Sequence, residues 1–255
     1  MSLFLAMNLL RSAFEFPLVA GAAFGVASLA GAYYATYAVR SQWLGPADWR
    51  GRTDTSSVAL TFDDGPSPDT ERVLDVLAAH GASATFFMVG QHAERHARTA
   101  RRVAAEGHEV GNHSYSHPVF LYRGARETRR QLSRAQSAIE EASGARPRFS
   151  RPPCGVRTPA YFRAARAMGL RTVQWTVAGF DWKRIGEREI ARRVLKGASP
   201  GSIILLHDGD SEGRERRGET VAALPLIFEG LKERGLKVEP LSRLLGVEAH
   251  ATAEI

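Results

Sequence analysis

The chain has 255 residues, of which 44% are hydrophobic and 24% charged, and its formal net charge is +7. This composition excludes a disordered, collagenous or disulfide-rich small protein, because a single cysteine, Cys154, cannot form an internal disulfide. The basic residues are spread along the chain, so they indicate an anionic surface or polymer as partner, or simple solubility, and no nucleic acid.

The N-terminal region, residues 1–43, is predicted to carry a membrane anchor or a signal peptide. Its core, residues 16–39, has no charged residue, and a helix of that length would extend roughly 36 Å, enough to cross a bilayer. An uncleaved anchor is favoured. Ala30-Gly31-Ala32 also resembles a signal-peptidase site, and cleavage there would give a secreted protein.

The orientation of this anchor is open on charge alone. Only Arg11 precedes the core, whereas Arg40, Arg50 and Arg52 follow it, and this distribution favours a main domain in the cytoplasm. Large domains are exported despite so small a bias. Because the predicted anchor and the basic residues favour a polymer of the cell envelope as target, we expect the main domain to be extracytoplasmic.

A polar linker, residues 44–56, leads into a domain predicted over 57–245, and residues 246–255 form a predicted tail. In the domain, β-branched runs alternate with helical stretches that end at glycines suited to left-handed caps: Gly81, Gly107, Gly144, Gly169 and Gly235. Seven strands are predicted, namely SVALTF, ATFFMVG, HEVGNH, RPRFSRPP, RTVQWTV, SIILLHD and KVEPL. This alternation predicts an α/β fold with a parallel sheet, for which an irregular (β/α) barrel of about seven strands is favoured over a doubly wound sheet.

Ionisable residues stand at the carboxyl ends of the predicted strands. They are Asp63, Asp64, His113, Arg151, Asp181, His207 and Asp208. The carboxyl ends of parallel strands converge on one face of such a fold, where catalytic groups collect. The sequence therefore predicts one shared pocket for residues that are far apart along the chain.

Asp63, Asp64 and His113, together with the nearby His117, can be interpreted as part of a metal site. Asp63-Asp64 before Gly65-Pro66 is either a plain turn or a pair in which one carboxylate binds a cation while the other moves a proton. His113 and His117, four residues apart, arise by chance or as a ligand pair. One aspartate and two histidines suit catalytic zinc, and cobalt, manganese, nickel or iron also fit.

The remaining motifs each allow a structural and a functional interpretation. The segment from Phe149 to Gly155 is a rigid proline loop, or it presents Arg151 to a carboxylate and a backbone N–H to an anionic intermediate. Asp181-Trp182 is a surface turn, or a charged partner followed by an aromatic wall for a sugar ring. His207 is a core histidine or a general acid.

Taken in order, these motifs resemble those of the NodB-type polysaccharide deacetylases, a carbohydrate esterase family, over residues 57 to about 245. They read Thr61-Phe-Asp-Asp-Gly-Pro66, His113-Ser-Tyr-Ser-His117, Arg151-Pro-Pro-Cys-Gly155, Asp181-Trp182 and Leu205-Leu-His-Asp208. The resemblance implies a distorted (β/α) barrel and a divalent metal, usually zinc. It also implies removal of N-acetyl groups from amino sugars of peptidoglycan, chitin-like glycans or lipid-linked sugars.

The resemblance assigns four residues to the reaction itself. By this similarity Asp63 would be the general base, and Arg151 would orient it. His207 would be the general acid, and Asp181 would tune it.

The resemblance also implies metal and substrate contacts. The metal would be held by Asp64, His113 and His117. Leu205 would contact the acetyl methyl group, and Trp182 would form a wall of the pocket. Cys154 stands where the family usually has tyrosine, so an aromatic contact is absent there while the backbone N–H remains available for an oxyanion.

Two other functions remain open from the sequence. The same machinery would serve a deformylase or deacetylase of a lipid-linked sugar or a non-sugar amide, and a membrane-anchored glycan-binding protein would keep the pocket without the reaction. The charged segment 211–219 after His207 either rims the substrate groove or is a solvated loop. The sequence does not indicate an oligomeric state.

Overall fold

The structure is a computed structural model that describes the backbone of residues 2–247 and side chains from residue 20 onward. Most of the predicted tail, residues 248–255, lies outside the described residues. The described strands form one parallel sheet in the order β5-β4-β3-β2-β1-β7-β6, and β8 pairs with β1. Their bounds are β1 Ser57–Asp63, β2 Thr85–Met88, β3 Glu109–Asn112, β4 Phe149–Ser150, β5 Arg171–Thr172, β6 Val177–Ala178, β7 Ile203–His207 and β8 Lys237–Val238.

Helices follow most strands. Their bounds are α1 Ser2–Tyr37, α2 Pro68–Ala79, α3 Gly90–Arg95, α4 Ala97–Ala105, α5 Ala125–Ser143, α6 Pro159–Ala167, α7 Glu187–Gly197, α8 Gly218–Glu233 and α9 Leu241–Leu244. The five predicted capping glycines all have positive φ, which confirms the helix ends. Ser67 begins α2 with a capping box to Thr70.

The alternation of side chains along β1 separates the outer core from the interior of the sheet. Val58, Leu60 and Phe62 belong to the large cluster that the surrounding helices cover. Ala59 belongs to the interior cluster, and Thr61 and Asp63 follow it on the same face. Every residue of β1 is buried, as expected for a central parallel strand.

The sheet is a half-barrel, which confirms the parallel α/β prediction and corrects the predicted closure. The predicted strand RTVQWTV forms two short strands, because β5 pairs with β4 whereas β6 pairs with β7. Between them the chain turns away, and the Gln174 side chain donates to the carbonyl of Gly155. Within the described residues β5 and β6 do not pair, so the barrel stays open at that point.

The predicted linker, residues 44–56, contributes to this open edge. Asp48 forms a parallel bridge with Val173, and Arg50 forms an antiparallel bridge with Ser202. The Arg50 guanidinium also donates to the Ser199 hydroxyl at 3.0 Å. This segment therefore lies across the gap between β5 and β6. The predicted domain boundaries remain predictions.

The N-terminal helix α1 meets the domain at its carboxyl end. Arg157, which is buried, donates to the carbonyl oxygens of Ala38 and Val39, and its backbone N–H donates to Thr36. None of the described helices is long and apolar enough to span a bilayer. The first residues of the predicted anchor core, 16–19, have side chains that the structure does not describe. The anchor and the cleaved signal peptide both remain predictions.

Candidate active site

The structure gathers the predicted site residues at the carboxyl-end rim of the sheet. The register of β1 with β7 places Asp63 opposite His207, and the backbone N–H of His113 bonds to Met88 at the end of β2. One cavity of about 770 Å³ lies at this rim. Its lining includes Asp63, Asp64, His113, His117, Cys154, Trp182, Leu205 and His207. Arg151 and Asp181 lie behind the lining and contact Asp63 and His207 respectively.

A tight turn after β1 presents Asp64 to the cavity. Asp64 has a left-handed backbone with φ 74°, a conformation that costs energy for any residue except glycine. The next residue must be glycine, because a Cβ on Gly65 would lie 2.1 Å from the Asp208 Oδ2 atom. The Asp208 backbone N–H donates to the carbonyl of Asp63 at 3.2 Å.

Three donor atoms from Asp64, His113 and His117 lie within 4.8 Å of one another. Asp64 Oδ1 lies 3.4 Å from the Nε2 atom of His113 and 3.2 Å from that of His117. Two donors bound to one zinc ion at about 2.1 Å would lie about 3.4 Å apart in a tetrahedral site. Asp64 Oδ1 is buried without a hydrogen-bond partner among the described residues. The donor set therefore fits a single divalent cation.

The protonation of the two imidazoles also suits metal binding. The Nδ1 atom of His113 lies 2.7 Å from the carbonyl oxygen of Arg151. Since a carbonyl only accepts, Nδ1 carries the proton, and Nε2 faces the donor set. Burial lowers the pKa of His117 to about 4, so that imidazole is neutral at pH 7.

The charges of Asp63 and Asp64 favour a proton on His113 that a bound cation would displace. Burial opposes the charge of Asp64, but the close contact with His113 and the charges of the histidines lower the pKa of that carboxyl. Burial likewise lowers the pKa of His113, yet the charges of Asp63 and Asp64 outweigh it and raise that pKa. Cation binding at these donors is therefore coupled to proton release.

Asp63 is held by a fully buried guanidinium. Arg151 Nη1 donates to Asp63 Oδ1 at 2.7 Å and to the hydroxyl of Thr61 at 2.8 Å. Arg151 Nη2 donates to the carbonyl of Gln174 at 3.0 Å, and the guanidinium lies 4.1 Å from the ring centroid of Phe87. The second carboxylate oxygen, Oδ2, faces the donor set 3.6 Å from His113 Nε2.

His207 is held by Asp181 in a comparable way. The ring Nδ1 and backbone N–H of His207 contact the two carboxylate oxygens of Asp181 at 2.9 Å and 2.7 Å. The hydroxyl of Thr220 donates to the same carboxylate at 2.8 Å. Burial lowers the pKa of His207, but the adjacent Asp181 charge and hydrogen bond outweigh it and raise the pKa to about 9.

The cavity lining includes apolar side chains and a charged loop. The apolar side chains are Trp175, Trp182 and Leu205, and the centroids of the Trp182 and His207 rings lie 5.2 Å apart in an edge-to-face arrangement. The charged side comes from the loop after β7, which lines the cavity with Asp210, Ser211, Glu212, Arg214, Glu215 and Arg217. Cys154 lies in the lining with a left-handed backbone, φ 55°, and an exposed thiol.

Several supporting residues escape the sequence analysis. Thr220 and Gln174 hold site residues through contacts that no local spacing announces. His92 contacts the carbonyl oxygen of Asp64 at 2.7 Å and is buried. Asp208, adjacent to His207, was visible as a strand-end carboxylate, but only the structure shows it against Gly65.

Comparison with known proteins identifies the family. Residues 50–173 match the polysaccharide deacetylase family model. A chitooligosaccharide deacetylase from Bradyrhizobium sp. (strain ANU 289) is 41% identical over 199 residues, covering 74% of this chain and 91% of that protein. The chain belongs to the polysaccharide deacetylase family. This confirms the resemblance drawn from the motifs.

Solved structures of polysaccharide deacetylases agree with this assignment. The peptidoglycan N-acetylglucosamine deacetylase Bc1960, in complex with an N-hydroxybenzamide, superposes with a TM-score of 0.76 at 34% identity, covering 80% of this chain and 94% of that one. A pseudoenzyme of carbohydrate esterase family 4 from Bacillus anthracis, BA3943, superposes with a TM-score of 0.70 at 32% identity, covering 77% and 68%. Because the family includes a pseudoenzyme, activity must be argued from the site residues.

The buried pair of Arg151 and Asp63 generates a stability prediction. Replacing Arg151 with methionine keeps much of the side-chain volume, but it leaves the Asp63 carboxylate buried without the guanidinium that pairs with it. We expect the free energy of unfolding at pH 7, measured in urea, to fall by about 3–5 kcal/mol.

The matched control is Arg146→Met, which removes an exposed pair with Glu140 and should leave stability unchanged. An Arg151→Met protein as stable as the wild type would contradict the structural role given to this pair.

Proposed function

We propose that this polysaccharide deacetylase is a catalytically active, divalent-metal-dependent N-deacetylase of glycans that contain N-acetylglucosamine. The observation that carries the proposal is the juxtaposition of three kinds of group in one cavity. A three-atom donor set, a carboxylate held by arginine and an imidazole held by aspartate lie together there. No one of these arrangements alone requires hydrolysis, but together they supply the groups that amide cleavage needs.

The cation would be held by Asp64, His113 and His117. The Oδ1 atom of Asp64, which is buried without a hydrogen-bond partner among the described residues, supports this assignment. Zinc suits two imidazoles and one carboxylate, and cobalt, manganese, nickel or iron are accepted by the same donors. When bound, such a cation polarises the acetyl carbonyl and makes a water molecule more acidic.

Asp63 is the proposed general base. Its Oδ1 atom is engaged by Arg151, so the carboxylate is fixed with Oδ2 toward the donor set. Oδ2 takes a proton from the attacking water while the new C–O bond forms. The backbone N–H of Cys154, a residue of the cavity lining with a left-handed backbone, is the proposed donor to the oxygen that gains negative charge.

His207 is the proposed general acid. Its Nδ1–H is held by Asp181, and its raised pKa keeps the ring doubly protonated at neutral pH. His207 gives its other ring proton to the amide nitrogen as the C–N bond breaks, which yields acetate and a free amine on the sugar. Asp181 compensates the imidazolium charge until the proton is transferred, and it holds the ring in place, so it is a positioning residue.

The substrate class follows from the walls and from the relatives. Leu205 offers an apolar contact for the acetyl methyl group, and the exposed Trp182 offers a face to a sugar ring. The similar proteins are named for chitooligosaccharide and for peptidoglycan N-acetylglucosamine. We infer that this chain accepts one of these polymers, and a peptidoglycan substrate would place the domain outside the cytoplasm.

Acetate release tests the proposed function. The purified protein is loaded with zinc and incubated with N-acetylglucosamine oligomers and, separately, with solubilised peptidoglycan. We expect acetate in at least one of these reactions, loss of activity with a chelator, and recovery with zinc. Asp63→Asn should reduce turnover by about 10²- to 10⁴-fold while it leaves zinc affinity unchanged.

Asp75→Asn is the control, because Asp75 is an exposed carboxylate on α2 outside the cavity. Turnover of the Asp63→Asn protein at the wild-type rate would exclude Asp63 as the base. Wild-type protein that releases no acetate from either substrate would overturn the proposed function.

The Asp181–His207 pair predicts the basic side of the pH profile. His207 must be protonated to act as the acid, so kcat/KM should fall as the pH rises through the His207 pKa. Because Asp181 raises that pKa and burial alone lowers it, Asp181→Asn should move the basic limb to lower pH by about one unit or more.

The measurement is kcat/KM for acetate release against pH, with both proteins loaded with zinc. The bound cation lowers the pH of the basic limb in both proteins, so the difference between the two proteins isolates the effect of Asp181. If the basic limb lies at the same pH in both proteins, Asp181 does not raise the pKa of the general acid, and the roles proposed for Asp181 and His207 are excluded.

A further inference from the structure

The turn that presents Asp64 is held through three consecutive backbone carbonyl oxygens. The carbonyl of Asp63 accepts from the backbone N–H of Asp208 at 3.2 Å, and that of Gly65 accepts from the backbone N–H of Val89 at 2.9 Å. The carbonyl between them, that of Asp64, accepts from the Nδ1 atom of His92 at 2.7 Å. The first contact comes from the residue after β7, and the other two come from the start of α3 and the residue before it.

His92 provides the one contact of these three that depends on a side chain. Because the Asp64 carbonyl oxygen only accepts, the Nδ1 atom of His92 must carry the proton. His92 is 4% exposed and lies on the short helix α3, which follows β2. It is not among the residues that line the cavity.

The imidazole of His92 is confined on its other side by the loop after β7. A Cβ on Gly213 would lie 3.1 Å from the Nε2 atom of His92. The Asp64 carbonyl is also closely packed, since a Cβ on Gly209 would lie 2.6 Å from its oxygen. The ring is therefore wedged between the Asp64 turn and the loop, with little room to take another position.

This contact acts on a residue whose backbone is strained. The left-handed conformation of Asp64 persists only where surrounding contacts hold it. The direction of the Asp64 carboxylate depends on this backbone, and its Oδ1 atom must stay between the Nε2 atoms of His113 and His117. Rotation of the Asp64–Gly65 peptide would turn the carbonyl away from His92 and displace the carboxylate.

We propose that His92 is a positioning residue that holds the Asp64 backbone so that its carboxylate is directed at the metal. This inference rests on the proposed metal-dependent function. His92 contacts neither the cavity nor the three donor atoms, so its effect is on metal affinity and turnover and not on substrate binding. Loss of such a supporting hydrogen bond typically costs about 10- to 100-fold in metal affinity or activity.

The experiment compares His92→Asn with His92→Gln. The amide nitrogen of asparagine lies about where Nδ1 of histidine lies and can donate to the Asp64 carbonyl, whereas that of glutamine lies about where Nε2 lies and faces Gly213. We expect His92→Asn to stay close to the wild type. We expect His92→Gln to lose about 10-fold or more in zinc affinity and in kcat, with KM unchanged.

His108→Leu is the matched control, because it removes the hydrogen bond of another buried histidine that lies away from the cavity. His108 is also buried, and its Nδ1 atom accepts from the backbone N–H of Ala84 near the start of β2, away from the cavity. This variant should have a lower Tm but unchanged zinc affinity and kcat. A His92→Leu protein should combine a lower Tm with the loss of zinc affinity.

The outcomes separate this inference from the proposed function. Wild-type protein without zinc-dependent acetate release would overturn both. Wild-type protein with zinc-dependent activity, together with equal zinc affinity in the Asn and Gln variants, would overturn the role of His92 alone. If His92→Leu does not fold, the comparison of Asn with Gln still decides the question.

Discussion

The parallel register of β1 with its neighbours is the constraint on which the cavity depends. Every strand of the half-barrel ends at one rim, so residues 63, 113, 151 and 207 are brought together although they are up to 144 positions apart. The period of two along β1 then directs Asp63 into the interior and Phe62 into the helix-covered core. A shift of one residue in this register would exchange the two faces.

The cavity concentrates ionisable groups that are expensive to bury, and most of them have a partner of opposite charge. Asp63 is paired with Arg151, and Asp181 is paired with His207. Asp64 is the exception, since its Oδ1 atom is buried and has no hydrogen-bond partner among the described residues. A buried carboxylate oxygen in that state is costly unless a cation or a proton completes its surroundings. The same atom faces two imidazoles, which points to the cation.

Much of this arrangement is predictable from the sequence, for local reasons. Apolar strand segments, capping glycines and strand-end charges are short-range patterns, and they locate the strands and the residues of the rim. The half-barrel is not predictable in this way, because the continuous pattern of RTVQWTV hides a break. At this break Val173 pairs with Asp48, and the Thr176 hydroxyl donates to the carbonyl of Trp49. Those partners lie more than 120 residues earlier in the chain.

The supporting contacts of the site are hidden for the same reason. His92 and Thr220 hold Asp64 and Asp181 through contacts between different elements, and neither stands in a motif with the residue it holds. That His92 and Thr220 donate these hydrogen bonds is evident only from the packing of α3 and α8 against the rim. The motifs therefore name the residues that would meet the substrate and the metal, while the residues behind them require coordinates.

The central claim is that Asp64, His113 and His117 bind one divalent cation at the rim. Anomalous diffraction at the zinc absorption edge, from crystals of the zinc-loaded protein, tests it most directly. We expect one strong peak about 2.0–2.2 Å from one atom of each of these three side chains. A peak bonded to other residues, or no peak at the rim, would contradict it.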